Sequence, residues 1–216
     1  MRSGPGRGKR RDWRSAGAAA PALLVAALAL PPAREWLEAT MVGHMLVQLP
    51  LVALCGFAFG RTLLGVPQDR GAGCIVAALQ RCNRYGATGL IAASFAMLLW
   101  MLPRTLDAAR LDYGVDALKL ASIFILVGIA VAWSWPQCPA LARAVVHVEA
   151  VATLIRFGWA YLAADQRLCA SYLLDDQRRL GAALIVLGIL WAAAVAWRPL
   201  FGAPAILAQR AASNAG

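Results

Sequence analysis

The sequence predicts an all-α fold, a polytopic transmembrane helical bundle of about six spans, on three observations. Apolar residues make up 61% of the 216-residue chain and charged residues only 15%, against about 45–50% and about 25% in soluble domains. The mean hydropathy is +0.62. The apolar residues are gathered in runs of about 20, the length that crosses a bilayer as a helix. A segment in lipid must satisfy its backbone hydrogen bonds internally, so such runs read as helices. The composition excludes a soluble enzyme, a disordered tail and a disulfide-stapled secreted module.

The expected organisation is a basic cytoplasmic N-terminal tail over 1–15, a bundle over 16–198 and a short C-terminal tail over 199–216. The first span, Ala16 to Leu30, contains Pro21 and is stopped by Pro31 and Pro32. The second, Met41 to Gly60, is free of charge until Arg61. Pro103 ends the third, about Gly86 to Leu102, and Pro136 ends the fourth, about Ala117 to Trp135. The fifth, Ala144 to Ala163, is unusual in carrying His147, Glu149 and Arg156. Arg198 and Pro199 follow the sixth, Leu180 to Trp197.

Lys and Arg accumulate in cytoplasmic loops. The tail carries Arg2, Arg7, Lys9, Arg10, Arg11 and Arg14, and it alone tips an otherwise even balance toward an inside N-terminus. The net charge of +10 is therefore read as topogenic, with the lipid bilayer as partner and no nucleic acid. The segment after the tail is signal-like in length, but Pro31, Pro32 and Ala33 make a poor cleavage site, so it is expected to be retained. Trp36, Trp135 and Trp197 fall at predicted water–lipid boundaries, which suit their amphipathic rings.

Ionisable groups inside a span are costly and call for an explanation. Met41, His44, Met45 and Gln48 recur at i, i+3, i+4 and i+7, on one helical face. Two thioethers and an imidazole suit Cu(I), with Gln48 as an orienting neighbour; the competing reading is ordinary packing around a satisfied histidine. Pro50 removes a hydrogen bond near Leu46 and should disturb that helix. Gly56 and Gly60 form a GxxxG pair that reads as close helix packing. On the fifth span Glu149 and Arg156 stand two turns apart with His147 nearby. The two are too far apart for a tight local bridge, though long side chains reach toward one another. Arg156 is expected to face the bundle interior, paired with Glu149 or Asp116, or touching an anionic group of a cofactor. Asp165, Cys169, Tyr172, Asp175, Asp176 and Gln177 precede the last span, where acidic residues also suit a helix N-terminus. With Glu35, Glu38, Asp112 and Asp116 they make the outer side carboxylate-rich and attractive to a cation.

The five cysteines, Cys55, Cys74, Cys82, Cys138 and Cys169, form no CxxC pair, and no disulfide framework is expected. P-loop, GxSxG, HExxH and dinucleotide fingerprints are absent, and the chain reads as a non-enzyme. A bis-histidine haem fits poorly, because His44 and His147 differ in predicted depth by roughly 20 Å.

The stretch Met41-Val-Gly-His44-Met45-Leu-Val-Gln48-Leu-Pro50 resembles the histidine-bearing helix of the CtaG-type cytochrome c oxidase assembly proteins of bacterial membranes. Leu174-Asp175-Asp176-Gln177-Arg-Arg-Leu-Gly181 is similar to that family's Asp-Gln segment entering a late helix, and the helix with His147 lies between them. The resemblance implies an integral membrane protein that supplies copper to a respiratory terminal oxidase or otherwise assists its maturation. It carries over to His44, His147, Asp176 and Gln177. The family generally has more histidines and about seven spans. The expected metal set is Met41, His44, Met45, Asp176 and Gln177, with Arg156, Glu149 and His147 as a cofactor-binding group. Two other classes stay open: a haem- or quinone-binding redox subunit, and a small transporter lined by the Glu149–Arg156 helix and the Pro50 kink. Ala- and Arg-rich usage points to a bacterial plasma (inner) membrane.

Overall fold

The computed structural model describes residues 20–64 and 71–201. The basic tail over 1–15, the start of the expected first span and nearly all of 199–216 lie outside them. Among the described residues the chain is helical and contains no strand. In order, α1 covers 20–28, α2 is Pro31–Leu37, and α3, Gly43–Leu63, opens with a π-turn over Gly43–Gln48. There follow α4 (Gly71–Cys82), α5 (Ala87–Met101) and α6 (Pro103–Leu111). The next helix, α7, is Tyr113–Gln137, with a second π-turn over Ile123–Ile129 and a 3-10 turn at its end. Last come α8 (Ala140–Ala163) and α9 (Leu174–Phe201).

Three of these helices, α3, α7 and Leu174–Trp197 of α9, are long and apolar enough to cross a membrane, which is compatible with a membrane protein. The α5–α6 pair, bent by 73° at Leu102, makes a fourth if counted as one span. Against the expectation of about six, three to four stand among the described residues. The shortfall has a physical cause at the fifth expected span. The α8 helix has 24 residues, but Arg143, His147, Glu149 and Arg156 interrupt its apolar character. At the first span, the helical part described is only 20–28.

The chain divides into two compact units: residues up to Pro139 together with Leu168–Leu173, and Ala140–Arg167 together with the chain from Leu174. In the first unit α3 packs along α7. Gly56 lies against the Phe124 carbonyl, and a Cβ on Gly128 would stand 2.5 Å from the Gly56 Cα. Gly60 meets Ala132 and Ile129 in the same way. The GxxxG pair therefore works as a helix-packing surface. Pro50 sits just past the π-turn of α3. A proline cannot donate to the carbonyl four residues back, so the hydrogen-bond ladder is disturbed there. The core beneath comprises Leu37, Leu49, Val52, Trp100, Leu120 and Ile123. Trp100 Nε1 donates to Ser122 Oγ at 2.7 Å and Trp133 Nε1 to the Gly60 carbonyl at 3.0 Å. The α4–α5 turn needs Gly86, at φ 71° and pressed on the Ser134 carbonyl. Asn83 secures that turn, donating to Ser134 Oγ at 2.8 Å and accepting from the Gly89 N–H at 3.1 Å.

In the second unit α8 and α9 run antiparallel. Gly158 and Gly181 oppose each other, so that a Cβ on either would stand within 2.8 Å of the other's carbonyl oxygen. Gly188 lies against Ile155 with more room, the nearest atom at 3.1 Å. A side chain forced into a backbone–backbone contact costs about 1–3 kcal/mol. Gly128→Ala is accordingly expected to lower the unfolding temperature in detergent clearly, and Gly188→Ala to lower it little. Thermal scans monitored by tryptophan fluorescence check this ordering.

Candidate functional site

The first unit buries a cluster of charged residues where the end of α2, the start of α3, the end of α6 and the first turns of α7 meet. Arg34, Glu38, His44, Asp116 and Lys119 are all buried, with His44 and Lys119 at 0% exposure. Each is delivered by local structure. Arg34 and Glu38 are one helical turn apart across the end of α2, with the Glu38 N–H donating to the Arg34 carbonyl. Asp112 caps α7, accepting from the Gly114 N–H at 2.6 Å and the Val115 N–H at 3.2 Å. That cap starts the helix that places Asp116 and Lys119 one turn apart on its buried side.

Lys119 is the centre. Its Nζ lies 2.7 Å from Asp116 Oδ1, 3.0 Å from Glu38 Oε1 and 2.7 Å from His44 Nε2. Arg34 Nε bridges the same two carboxylates from the other side, at 3.1 Å to Asp116 Oδ2 and 3.3 Å to Glu38 Oε2. Two cations therefore balance two anions. An ammonium only donates, so His44 Nε2 accepts from it. The ring proton then belongs on Nδ1, which donates to Tyr172 Oη at 2.7 Å. This tautomer follows from the donor and acceptor roles of the partners.

Tyr172 reaches the cluster from the segment Leu168–Leu173. Asp107 on α6 holds that segment, accepting from the Ala170 N–H at 2.9 Å and the Ser171 N–H at 3.1 Å. The Arg110 guanidinium stands 5.0 Å over the Tyr172 ring and also donates to the Glu38 carbonyl. Arg34 Nη2 donates to the Ala109 carbonyl at 2.8 Å, and its guanidinium lies 4.6 Å over the Tyr113 ring. Burial pushes the Tyr172 phenol up to about 12, against the opposing pull of Arg110. Burial and then the Asp107 charge push the Cys169 thiol up to about 11.

The structure thus brings Met41, His44, Met45 and Gln48 into the interior, at 0%, 0%, 2% and 0% exposure. It does not leave His44 open to a metal, since both ring nitrogens are engaged. Among the described residues no group of three or more His, Cys, Asp or Glu side chains is placed to hold a metal ion. Gln48 does not orient His44: both of its buried amide atoms are without a hydrogen-bond partner. Leaving a buried polar group unpaired costs about 1–3 kcal/mol. Glu38 and Asp116 do not form an open acidic surface, because Lys119 and Arg34 already neutralise them.

Asp176 and Gln177 each have a partner within the second unit. Asp176, in the first turn of α9 with Asp175, lies 3.7 Å from Arg179, and Gln177 Nε2 donates to the Tyr161 carbonyl at 3.2 Å. Arg156 does not point inward. Its side chain is 64% exposed and pairs with the equally exposed Glu149 at 2.5 Å. Two long side chains span the two turns that looked too far for a tight bridge, and Asp116 is taken by Arg34 and Lys119. His147 accepts from Trp191 Nε1 at 3.2 Å.

Sequence reasoning passed over Arg34, Lys119 and Arg110, and read Tyr172 only as part of an acidic loop. A signal for Lys119 was present: a lone lysine at the edge of an otherwise apolar segment needs a buried counter-ion.

Removing one partner from a buried ion cluster costs about 3–5 kcal/mol, because the remaining charge is left uncompensated. Lys119→Met is expected to destabilise the protein by that amount, and adding Asp116→Asn is expected to recover a good part of it, as read by thermal unfolding in detergent. A phenol held protonated by burial loses its proton later on raising pH. Alkaline absorbance titration should therefore show the Tyr172 phenol ionising near pH 12 rather than near pH 10, an absorbance change by which wild type exceeds Tyr172→Phe. Compared with protein-family models, with curated proteins and with solved structures, the chain finds no match.

Proposed function

We propose that this chain is a non-enzymatic, multi-pass protein of a bacterial plasma membrane, its N-terminus cytoplasmic, that assists the maturation of a respiratory terminal oxidase by handling copper as cargo. The resemblance of the His44 and Asp176–Gln177 segments to CtaG-type assembly proteins suggests the process. One observation carries the reading: the Met41–His44–Met45 face is buried, and its imidazole meets the Lys119 ammonium. Two thioethers and an imidazole, kept from water, are donors that favour Cu(I). The cation beside His44 is a monovalent ammonium, held by His44, Glu38 and Asp116. Cu(I) carries the same charge, so exchanging one for the other leaves the electrostatic balance of the buried cluster unchanged. Copper binding on this reading requires the Lys119 ammonium to leave Glu38 and Asp116 as well as His44 Nε2, since one that stayed would give the cluster an uncompensated positive charge.

A second reading, a small proton-linked transporter, is favoured by the unbroken chain from Tyr172 through His44 and Lys119 to Glu38. Buried ionisable chains of this kind serve proton relays in membrane proteins.

Cu(I) titration of the detergent-purified chain under reducing conditions, with an absorption spectrum beside it, separates the readings. Wild type is expected to bind about one copper with no Soret band, and His44→Ala none. Lys119→Met, with its competing ammonium removed, is expected to bind at least tenfold more tightly and to regain thermal stability on copper addition. Copper uptake independent of His44 would end the copper reading, and a Soret band would move the case to a haem subunit. Proton flux in proteoliposomes, lost in His44→Ala, would favour the transporter.

A further inference from the structure

We infer that the pocket between the end of α4 and the end of α7 holds the phosphate headgroup of an anionic phospholipid. The pocket is an open depression of about 530 Å³ lined by Ala77, Gln80, Arg81, Arg84 and Gln137. It lies within the first unit and is separate from the His44 cluster. No carboxylate lines it, and among the described residues none pairs with Arg81 or Arg84. Two guanidiniums and the Gln80 amide present a donor-rich wall beside the Gln137 amide, whose nitrogen already donates to the Trp133 carbonyl at 3.0 Å. Guanidinium forks match phosphate oxygens in charge and geometry. Arg84 is further set in place by lying 5.3 Å over the Tyr85 ring.

The lipid, rather than a free phosphate, is indicated by the other face of α4. Ile75 is 64% and Leu79 49% exposed, and Tyr85 just beyond the helix is 66% exposed. A helix with an exposed apolar face and a basic residue on the opposite one, as α4 has in Arg81 with Arg84 just beyond its end, suits the plane of the membrane surface. Its apolar side then dips into the acyl boundary and its basic side sits at headgroup level. In that position the Arg81–Arg84 pocket is at the height of lipid phosphates. A free anion would satisfy the arginines but leave Ile75 and Leu79 facing water. Each basic residue near an anionic surface contributes on the order of 1 kcal/mol.

The test is native mass spectrometry of the detergent-purified full chain exposed to equal amounts of phosphatidylglycerol and phosphatidylcholine with identical acyl chains. Wild type is expected to retain the anionic lipid over the zwitterionic one by about tenfold. Arg81→Gln with Arg84→Gln, both exposed positions, should bring retention to near parity while the unfolding temperature stays unchanged. Leu79→Gln should weaken retention of both lipids, and millimolar inorganic phosphate should displace neither. Equal retention by wild type, or a preference that survives the double arginine replacement, would overturn the proposal. Displacement by inorganic phosphate alone would also overturn it, assigning the pocket to a free anion.

Discussion

The ammonium of Lys119, buried to 0% exposure, is the constraint on which the first unit depends. Taking an ammonium out of water costs several kcal/mol unless strong acceptors surround it. Here the acceptors come from three places in the chain: Glu38 beyond α2, His44 in the π-turn of α3, and Asp116 one turn back on α7. None of these elements slides along its neighbours without stranding a charge. Arg34 repeats the restraint from the opposite side of the two carboxylates. Arg110 and Asp107 extend it to the Leu168–Leu173 segment, which delivers Tyr172 to His44.

Close backbone packing sets the other end of the same arrangement. Gly56 and Gly128 let α3 and α7 approach until only backbone separates them. Dispersion from such close contacts accumulates over many atoms, whereas the ion cluster acts through a few strong, directional bonds. The π-turns lie where the two regimes meet, one carrying His44 and the other carrying Gly128. A π-turn leaves its helix less regular than an α-turn and is frequently found at functional sites. In α3 it adjoins Pro50, whose missing N–H already weakens the ladder. The segment bearing His44 is therefore the part of α3 best able to shift.

Much of this was legible from residue order. Apolar runs marked α3, α7 and α9 because lipid-length helices need continuous apolar sequence. The i, i+3, i+4, i+7 recurrence put Met41, His44, Met45 and Gln48 on one face, and that face is buried. Glycines four apart predicted close packing, because a missing Cβ is a local property. What the pattern did not reveal was the partners. Glu38 and Lys119 are 81 positions apart, as are no two members of a helical face; Tyr172 and His44 are separated by 128. On α8, Glu149 and Arg156 misled in the opposite direction. Two turns of separation looked too long for a bridge, and a charge inside an apolar run looked bound inward, yet both side chains extend along the exposed face and meet.

The sequence by itself determined that the protein is helical, rich in lipid-length apolar helices, and built around a histidine-bearing face on α3. These properties depend on spacing along one chain segment, where neighbours in sequence are neighbours in space. Only the tertiary structure decided what that face meets. It turned Glu38 and Asp116 from a cation-attracting surface into counter-ions of Lys119 and Arg34, and gave both nitrogens of His44 to protein partners. The physical reason is that a buried charge is stable only with its complement, and that complement is chosen by how distant segments pack.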